Sequence, residues 1–179
     1  MPAWAVVSLE RRAHIERVAA LVQGWADAMQ VGPQEQQRWL RAVWLHDALR
    51  DLSLEELEKL ARDDEGPAEL RHGPAAAERA AAEGEADQGV LNAVRYHSVG
   101  YAGWDRVGRV LYCADFLEPG RAFDAEARAA LARRFPNQPD AVLLEVARRR
   151  LLHVVRSGWP LPAVTVDFWN ALASASFSG

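Results

Sequence analysis

Apolar residues recur along nearly the whole chain at three- and four-residue intervals, which predicts helices rather than strands. Ile15, Val18, Ala19, Val22 and Trp25 form one such stripe, within a helix expected over 10–29. Gly32-Pro33 breaks it, and a second helix carrying Trp39, Val43 and Trp44 is expected over 34–49. Ser53 with Glu56 three residues on reads as a capping box opening a short helix over 54–61. The polar stretch 62–66 reads as loop. An alanine-rich helix follows over 74–82, with Gly84 as its stop. Asp87 caps a helix through Val90, Leu91 and Val94 to Tyr96, and Gly100 and Gly103 mark a turn before the stripe Val107, Val110, Leu111 and Ala114. Helices over 124–134 and 140–155 complete the pattern. The tail from Trp159 carries Pro160 and Pro162, and its β-branched run Val164-Thr165-Val166 is expected to be extended. The pattern predicts a single all-α domain, with no repeat, low-complexity segment or linker.

Composition narrows the function classes. At 179 residues, half of them hydrophobic, the chain can bury one real core. A net charge of -4 argues against a nucleic-acid partner, because phosphate backbones call for a basic face. One cysteine, Cys113, excludes an internal disulfide and fits a reducing cytoplasm, where it reads as an inert helix thiol. No window of about 18 apolar residues points to a membrane span, and residues 1–10 lack the basic start and apolar stretch of a signal peptide. A cytoplasmic protein is expected. Lys59 is the only lysine among 21 basic residues, so nearly every cation available to a site is a planar arginine fork suited to phosphate. The alanine-rich helix surface leaves room for a homodimer.

The candidate chemistry lies in the histidines. Four of the five fall in an ordered set with two aspartates: His14, the adjacent pair His46-Asp47, His72, His97 and Asp115. Imidazole and carboxylate are the ligands that iron, manganese and zinc accept. A His-Asp pair following Ala42-Val43-Trp44-Leu45 is costly to bury unless something pairs with both side chains. Each of the six falls at or near a helix terminus, where side chains meet at one end of a bundle. His14 is placed about a turn into the first helix, His46 and Asp47 near the end of the second, His72 just before a helix, and His97 just past one. Adjacent helical residues point about 100 degrees apart, so His46 and Asp47 can converge only over that helix end. With one cysteine, a Cys-rich structural zinc site is excluded.

In its ordered motifs the chain resembles the HD superfamily of metal-dependent phosphohydrolases, and specifically the YqeK-like symmetrical bis(5'-nucleosyl)-tetraphosphatases. The matching pieces are Arg11-x-x-His14, Trp44-Leu45-His46-Asp47, His72-Gly73-Pro74, Tyr96-His97-Ser98-Val99-Gly100, and Tyr112 to Arg121 with Ala114-Asp115-x-x-Glu118-Pro119-x-Arg121 inside it. The resemblance implies an HD-type helical bundle, with a ligand core over about 11–123 and C-terminal helices over about 124–179. It implies one metal on His14, His46, Asp47 and Asp115, and a second on His72 and His97, with Asp47 bridging. Family resemblance favours iron, while ligand type alone also allows manganese. A metal-activated hydroxide would attack phosphorus in line. The implied substrate is diadenosine tetraphosphate or a related dinucleoside polyphosphate, cut into two nucleoside diphosphates.

Two departures from the family pattern matter. Arg50 stands where the family commonly has lysine, and Val99 replaces a hydroxyl, leaving Ser98 as the nearest one. Arg50 and Arg121 are the expected phosphate contacts, with Ser98 and Tyr96 beside them. Tyr101 and Trp104 are further stacking surfaces for a base, and Asp51 could assist proton transfer. The plain readings are as follows: His153 is an ordinary helix residue, the tryptophans are core or rim residues, and the run Arg148-Arg149-Arg150 is a solvated helix face. Two other functions stay open, a nucleotidase or other HD phosphohydrolase acting on mononucleotides, and a non-catalytic nucleotide-sensing HD module.

Overall fold

Residues 1–61 and 67–177 are described by the computed structural model. Among them run nine helices: α1 (Leu9–Ala28), α2 (Pro33–His46), α3 (Leu54–Leu60), α4 (His72–Ala82), α5 (Gln88–Tyr96), α6 (Arg106–Leu117), α7 (Ala125–Arg134), α8 (Pro139–Arg156) and α9 (Ala163–Phe177), with one 3-10 turn at Ala68–Leu70 and no strand. The all-α expectation therefore holds. The loop expected over 62–66 lies outside the described residues.

Local chemistry explains most helix boundaries. Ser8, Asp87 and Asp105 each accept backbone N–H bonds as N-caps of α1, α5 and α6. The capping box at Ser53 and Glu56 is formed in both directions. Pro33 opens α2 at its first position, where the missing N–H costs nothing. Gly84 follows α4 with φ 99°, a left-handed stop.

Two of the expected boundaries are displaced by more than one residue, and both concern the site. The second helix was expected to continue to 49 but ends at His46, with Asp47 (φ -110°, ψ 14°) outside it. The chain therefore turns between the two residues of the pair. His72, expected just before a helix, is the first residue of α4; Pro74 still falls among the first four amides, which need no intrahelical partner.

A third difference lies at the C-terminus. Val164-Thr165-Val166 is not extended but forms the start of α9. The Thr165 and Val166 amides both bond the Pro162 carbonyl, at 2.9 and 3.2 Å. Phe168 is buried edge-on against Trp104 and Tyr112, so tertiary packing overrides β-branched propensity. Gly100 makes room for it: its φ is +88°, and a Cβ there would stand 2.2 Å from the Phe168 ring.

The core joins Ile15, Val18 and Val22 of α1, Trp39 and Val43 of α2, Val90 and Val94 of α5, and Val107 and Leu111 of α6. Each large apolar side chain so buried contributes roughly 1.5–3 kcal/mol. Trp25 stacks on Phe135 with ring centroids 3.9 Å apart, and its indole N–H donates to the Ala132 carbonyl. Helix α4 buries Ala75, Ala76, Ala77 and Ala80 within the chain, and these small side chains serve its close packing on α5. No described helix is long and apolar enough to cross a membrane.

Candidate metal centre

Five helices bring the six candidate ligands to one buried centre. His14 comes from α1, His46 and Asp47 from the end of α2, His72 from the first residue of α4, His97 from the C-cap of α5 and Asp115 from the last turns of α6. None is more than 6% exposed. They form two trios, His14 with His46 and Asp115, and Asp47 with His72 and His97, each with potential ligand atoms within 4.8 Å of one another. Asp47 stands between the trios. Its Oδ2 lies 3.7 Å from His14 Nε2 and 3.6 Å from His46 Nε2. Its Oδ1 lies 3.3 Å from His72 Nε2 and 3.4 Å from His97 Nε2.

The backbone fixes the imidazoles. His46 Nδ1 lies 2.7 Å from the Val43 carbonyl, His97 Nδ1 2.7 Å from the Val94 carbonyl and His72 Nδ1 3.1 Å from the Glu69 carbonyl. A carbonyl only accepts, so these Nδ1 atoms carry the proton and donate it, and Nε2 is the ring atom turned inward. His14 Nδ1 lies 3.2 Å from Glu118 Oε1, a carboxylate–histidine pair of the kind that orients metal ligands. Gly73 permits the approach of α4 to α5: a Cβ there would stand 2.8 Å from the Arg95 carbonyl and 3.0 Å from that of Val94, which orients His97.

This donor set fits a pair of divalent cations. His14 Nε2 and His46 Nε2 are buried without a hydrogen-bond partner. His72 Nε2 and His97 Nε2 face each other at 3.1 Å with both Nδ1 protons committed elsewhere, an opposition of lone pairs that a cation relieves. Charges point the same way. Burial acts to raise Asp47, yet the surrounding imidazoles hold its carboxyl well below the usual range. Burial is likewise outweighed at Asp115, by Arg150 first and by His14 and Arg121 after it, so both carboxylates are ionised at neutral pH. Burial drives His46 down to about 4, leaving it neutral, whereas Asp115, Asp47 and Glu118 outweigh burial at His14 and raise it.

The expected substrate contacts fall in different places. Arg121 donates to Asp115 Oδ1 at 2.6 Å and to the Asp115 carbonyl, with its side chain about a third exposed. Ser98 Oγ lies 3.1 Å from His97 Nε2 and 3.4 Å from His72 Nε2, beside the second trio. Arg50 donates to the Glu69 carbonyl that also receives His72 Nδ1. Tyr96 stacks on Tyr101 with centroids 4.5 Å apart. Trp104 is no base platform: it is buried against Tyr112 and Phe168 and donates to the Asn92 carbonyl. Asp51 is engaged in holding the N-terminal segment, accepting from the Ser8 amide at 2.6 Å. His153 is exposed and meets only Trp159 edge-on among the described ring contacts.

Four residues assigned no role at the site from sequence stand against it. Arg11 donates to Asp47 Oδ2 at 2.7 Å. Glu118, 1% exposed, holds His14 and receives Arg17 Nε at 2.6 Å and the Gly120 amide at 2.7 Å. Arg128 of α7 is buried and donates to the carbonyls of Phe116, Glu118 and Arg121, which fixes the turn after α6. Arg150, expected on a solvated face, instead donates to Asp115 Oδ2 at 2.6 Å. A signal for it exists in the sequence: the apolar stripe Leu143, Val146, Ala147 continues at helical spacing onto 150.

The chain is similar to known proteins in sequence and in fold. Residues 11–134 match the HD domain family model. Over 145 residues the chain is 30% identical to the symmetrical bis(5'-nucleosyl)-tetraphosphatase of Bacillus subtilis (strain 168), covering 75% of this chain and 76% of that protein. In fold it is similar to a Clostridium acetobutylicum crystal structure described as a predicted HD superfamily hydrolase involved in NAD metabolism. That similarity has a TM-score of 0.81 at 22% identity and covers 94% of this chain and 92% of the other.

Proposed function

The chain belongs to the HD domain family and is a metal-dependent phosphohydrolase, and from that premise we propose that it cleaves diadenosine tetraphosphate symmetrically into two molecules of ADP. The observation that carries this reading is Asp47, whose two oxygens face two separate imidazole pairs, as a carboxylate shared by two cations would. His14, His46 and Asp115 would hold one ion and His72 and His97 the other. Iron is the metal proposed, with manganese as the substitute that the same donors accept. When bound, such a pair supplies Lewis acidity toward phosphate oxygens and a water acidic enough to yield hydroxide near neutral pH.

The protein's own groups do the rest. The Nδ1–H bonds to backbone carbonyls keep each inward Nε2 unprotonated and aimed. A tetraphosphate brings more negative charge than two ions neutralise, and arginine forks on the solvent side of the centre suit the remainder. Arg121 and Arg50 take that role in this reading. Ser98 offers a hydroxyl beside the second trio for a substrate oxygen, and Tyr96, backed by Tyr101, offers an aromatic face for a base. The relative from Bacillus subtilis supports the substrate class through its name.

The experiment is a product analysis on one preparation, with diadenosine tetraphosphate and a panel of mononucleotides. ADP is expected as the sole nucleotide product from the dinucleotide. Release of AMP together with ATP would contradict symmetrical cleavage, and hydrolysis confined to mononucleotides would make the protein a nucleotidase.

A further inference from the structure

Arg150 lies on α8, beyond the last residue matched to the family model, and its side chain is only 17% exposed. Its Nη2 donates to Asp115 Oδ2 at 2.6 Å and to the Tyr112 carbonyl at 3.3 Å, and its Nη1 donates to the His97 carbonyl at 3.3 Å. One guanidinium thus touches a residue of each trio. On Asp115 it takes the oxygen turned away from His14, whose Nε2 lies 3.2 Å from Oδ1. The fork lies 4.3 Å over the Tyr112 ring and 5.5 Å from that of Phe116, so its plane is fixed by stacking as well.

Stability alone gives no reason for this arrangement. Arg150 Nε is buried without a partner. A buried ion pair is often matched or bettered by well-packed apolar residues of similar size. Arg11 and Arg121 differ from it in kind: they reach Asp47 Oδ2 and Asp115 Oδ1, the oxygens facing the first trio, with side chains 28% and 35% exposed. They can swing toward a phosphate, whereas Arg150 is clamped on three acceptors from behind.

We propose that Arg150 is a positioning residue, which locks the Asp115 carboxylate and the His97 turn into register so that the two trios form a single centre. The inference rests on the two-ion reading of that centre. It makes α8 part of the site although no ligand comes from it.

The test is titration of metal-free full-length protein with Mn2+, following free Mn2+ by electron paramagnetic resonance, with far-ultraviolet circular dichroism and thermal midpoint recorded before metal is added. Wild type is expected to take up two equivalents. Arg150→Met is expected to keep the wild-type spectrum, to melt lower because Asp115 loses a buried partner, and to bind Mn2+ roughly 10–100-fold more weakly, the usual cost of losing a partner that orients a ligand. Arg150→Lys, which keeps the charge but not the fork, should fall between the two. A merely structural role would move the midpoint and leave the affinity unchanged. Two ions bound by Arg150→Met with wild-type affinity overturn the inference alone, whereas wild type that binds no Mn2+ overturns the two-ion reading and the inference with it. Should Arg150→Met fail to fold, Arg150→Lys decides: unchanged affinity overturns the proposal, and weakened affinity with the wild-type spectrum upholds it.

Discussion

At the scale of single residues, the centre is marked by His14 Nε2 and His46 Nε2, which are buried without a hydrogen-bond partner. His46 is fully buried and neutral, its Nδ1 spent on Val43 and its Nε2 left open toward Asp47. Asp47 is ionised in surroundings that favour neutral groups, held so by imidazoles on both of its oxygens. Such groups are retained for binding rather than stability. His46→Ala and Asp47→Ala are therefore expected to lose all measurable turnover while the helical circular dichroism survives, because the truncated side chains lie at a helix end and not within a helix. Near-normal activity of either variant after metal depletion would contradict the assigned chemistry. These residues were legible because histidine is scarce here and four of its five positions fall, with two aspartates, into one ordered pattern. Glu118 and Arg150 were not, for a physical reason. Glu118 meets His14 across 104 residues and Arg150 meets Asp115 across 35, and no local spacing encodes such meetings.

At the scale of elements, charged clasps set the helices that carry the ligands. Asp87 caps α5 through the Gly89 and Val90 amides and also receives Arg38 Nε of α2 at 2.6 Å, while Arg38 reaches Asp105, the cap of α6. Three helices are thereby pinned at one point. The Arg38 guanidinium holds the Asp87 carboxyl down at about 2, below its ordinary 3.8. A depressed carboxyl contributes stability that is present above 3.8 and lost as pH falls through 2. Asp87→Ala should thus lower the urea midpoint at pH 7, where an N-cap alone is worth about 1 kcal/mol, and the gap from wild type should narrow at pH 3. A gap of equal size at both values would contradict a charged clasp. Most helices could be read from periodicity and caps, since those signals are local. Helix α9 could not, because Val164, Thr165 and Val166 favour extended backbone and only the burial of Phe168 beneath α6 decides the outcome. The early end of α2 was hidden for a related reason: Ala48 and Leu49 continue the apolar pattern, but they are buried in a turn.

At the scale of the whole molecule, the fold serves to assemble what no segment holds alone. The proposed ligands come from α1, α2, α4, α5 and α6, their orientation from Glu118 and Arg128 around the turn after α6, and their proposed coupling from α8. Asp47 is the point at which the two halves meet, so the account depends on its two oxygens serving two cations. An anomalous difference map from manganese-soaked crystals measures this directly. Two peaks are predicted, one on the Oδ2 side of Asp47 near His14, His46 and Asp115, and one on the Oδ1 side near His72 and His97. A single peak, or manganese bound away from Asp47 altogether, would contradict it.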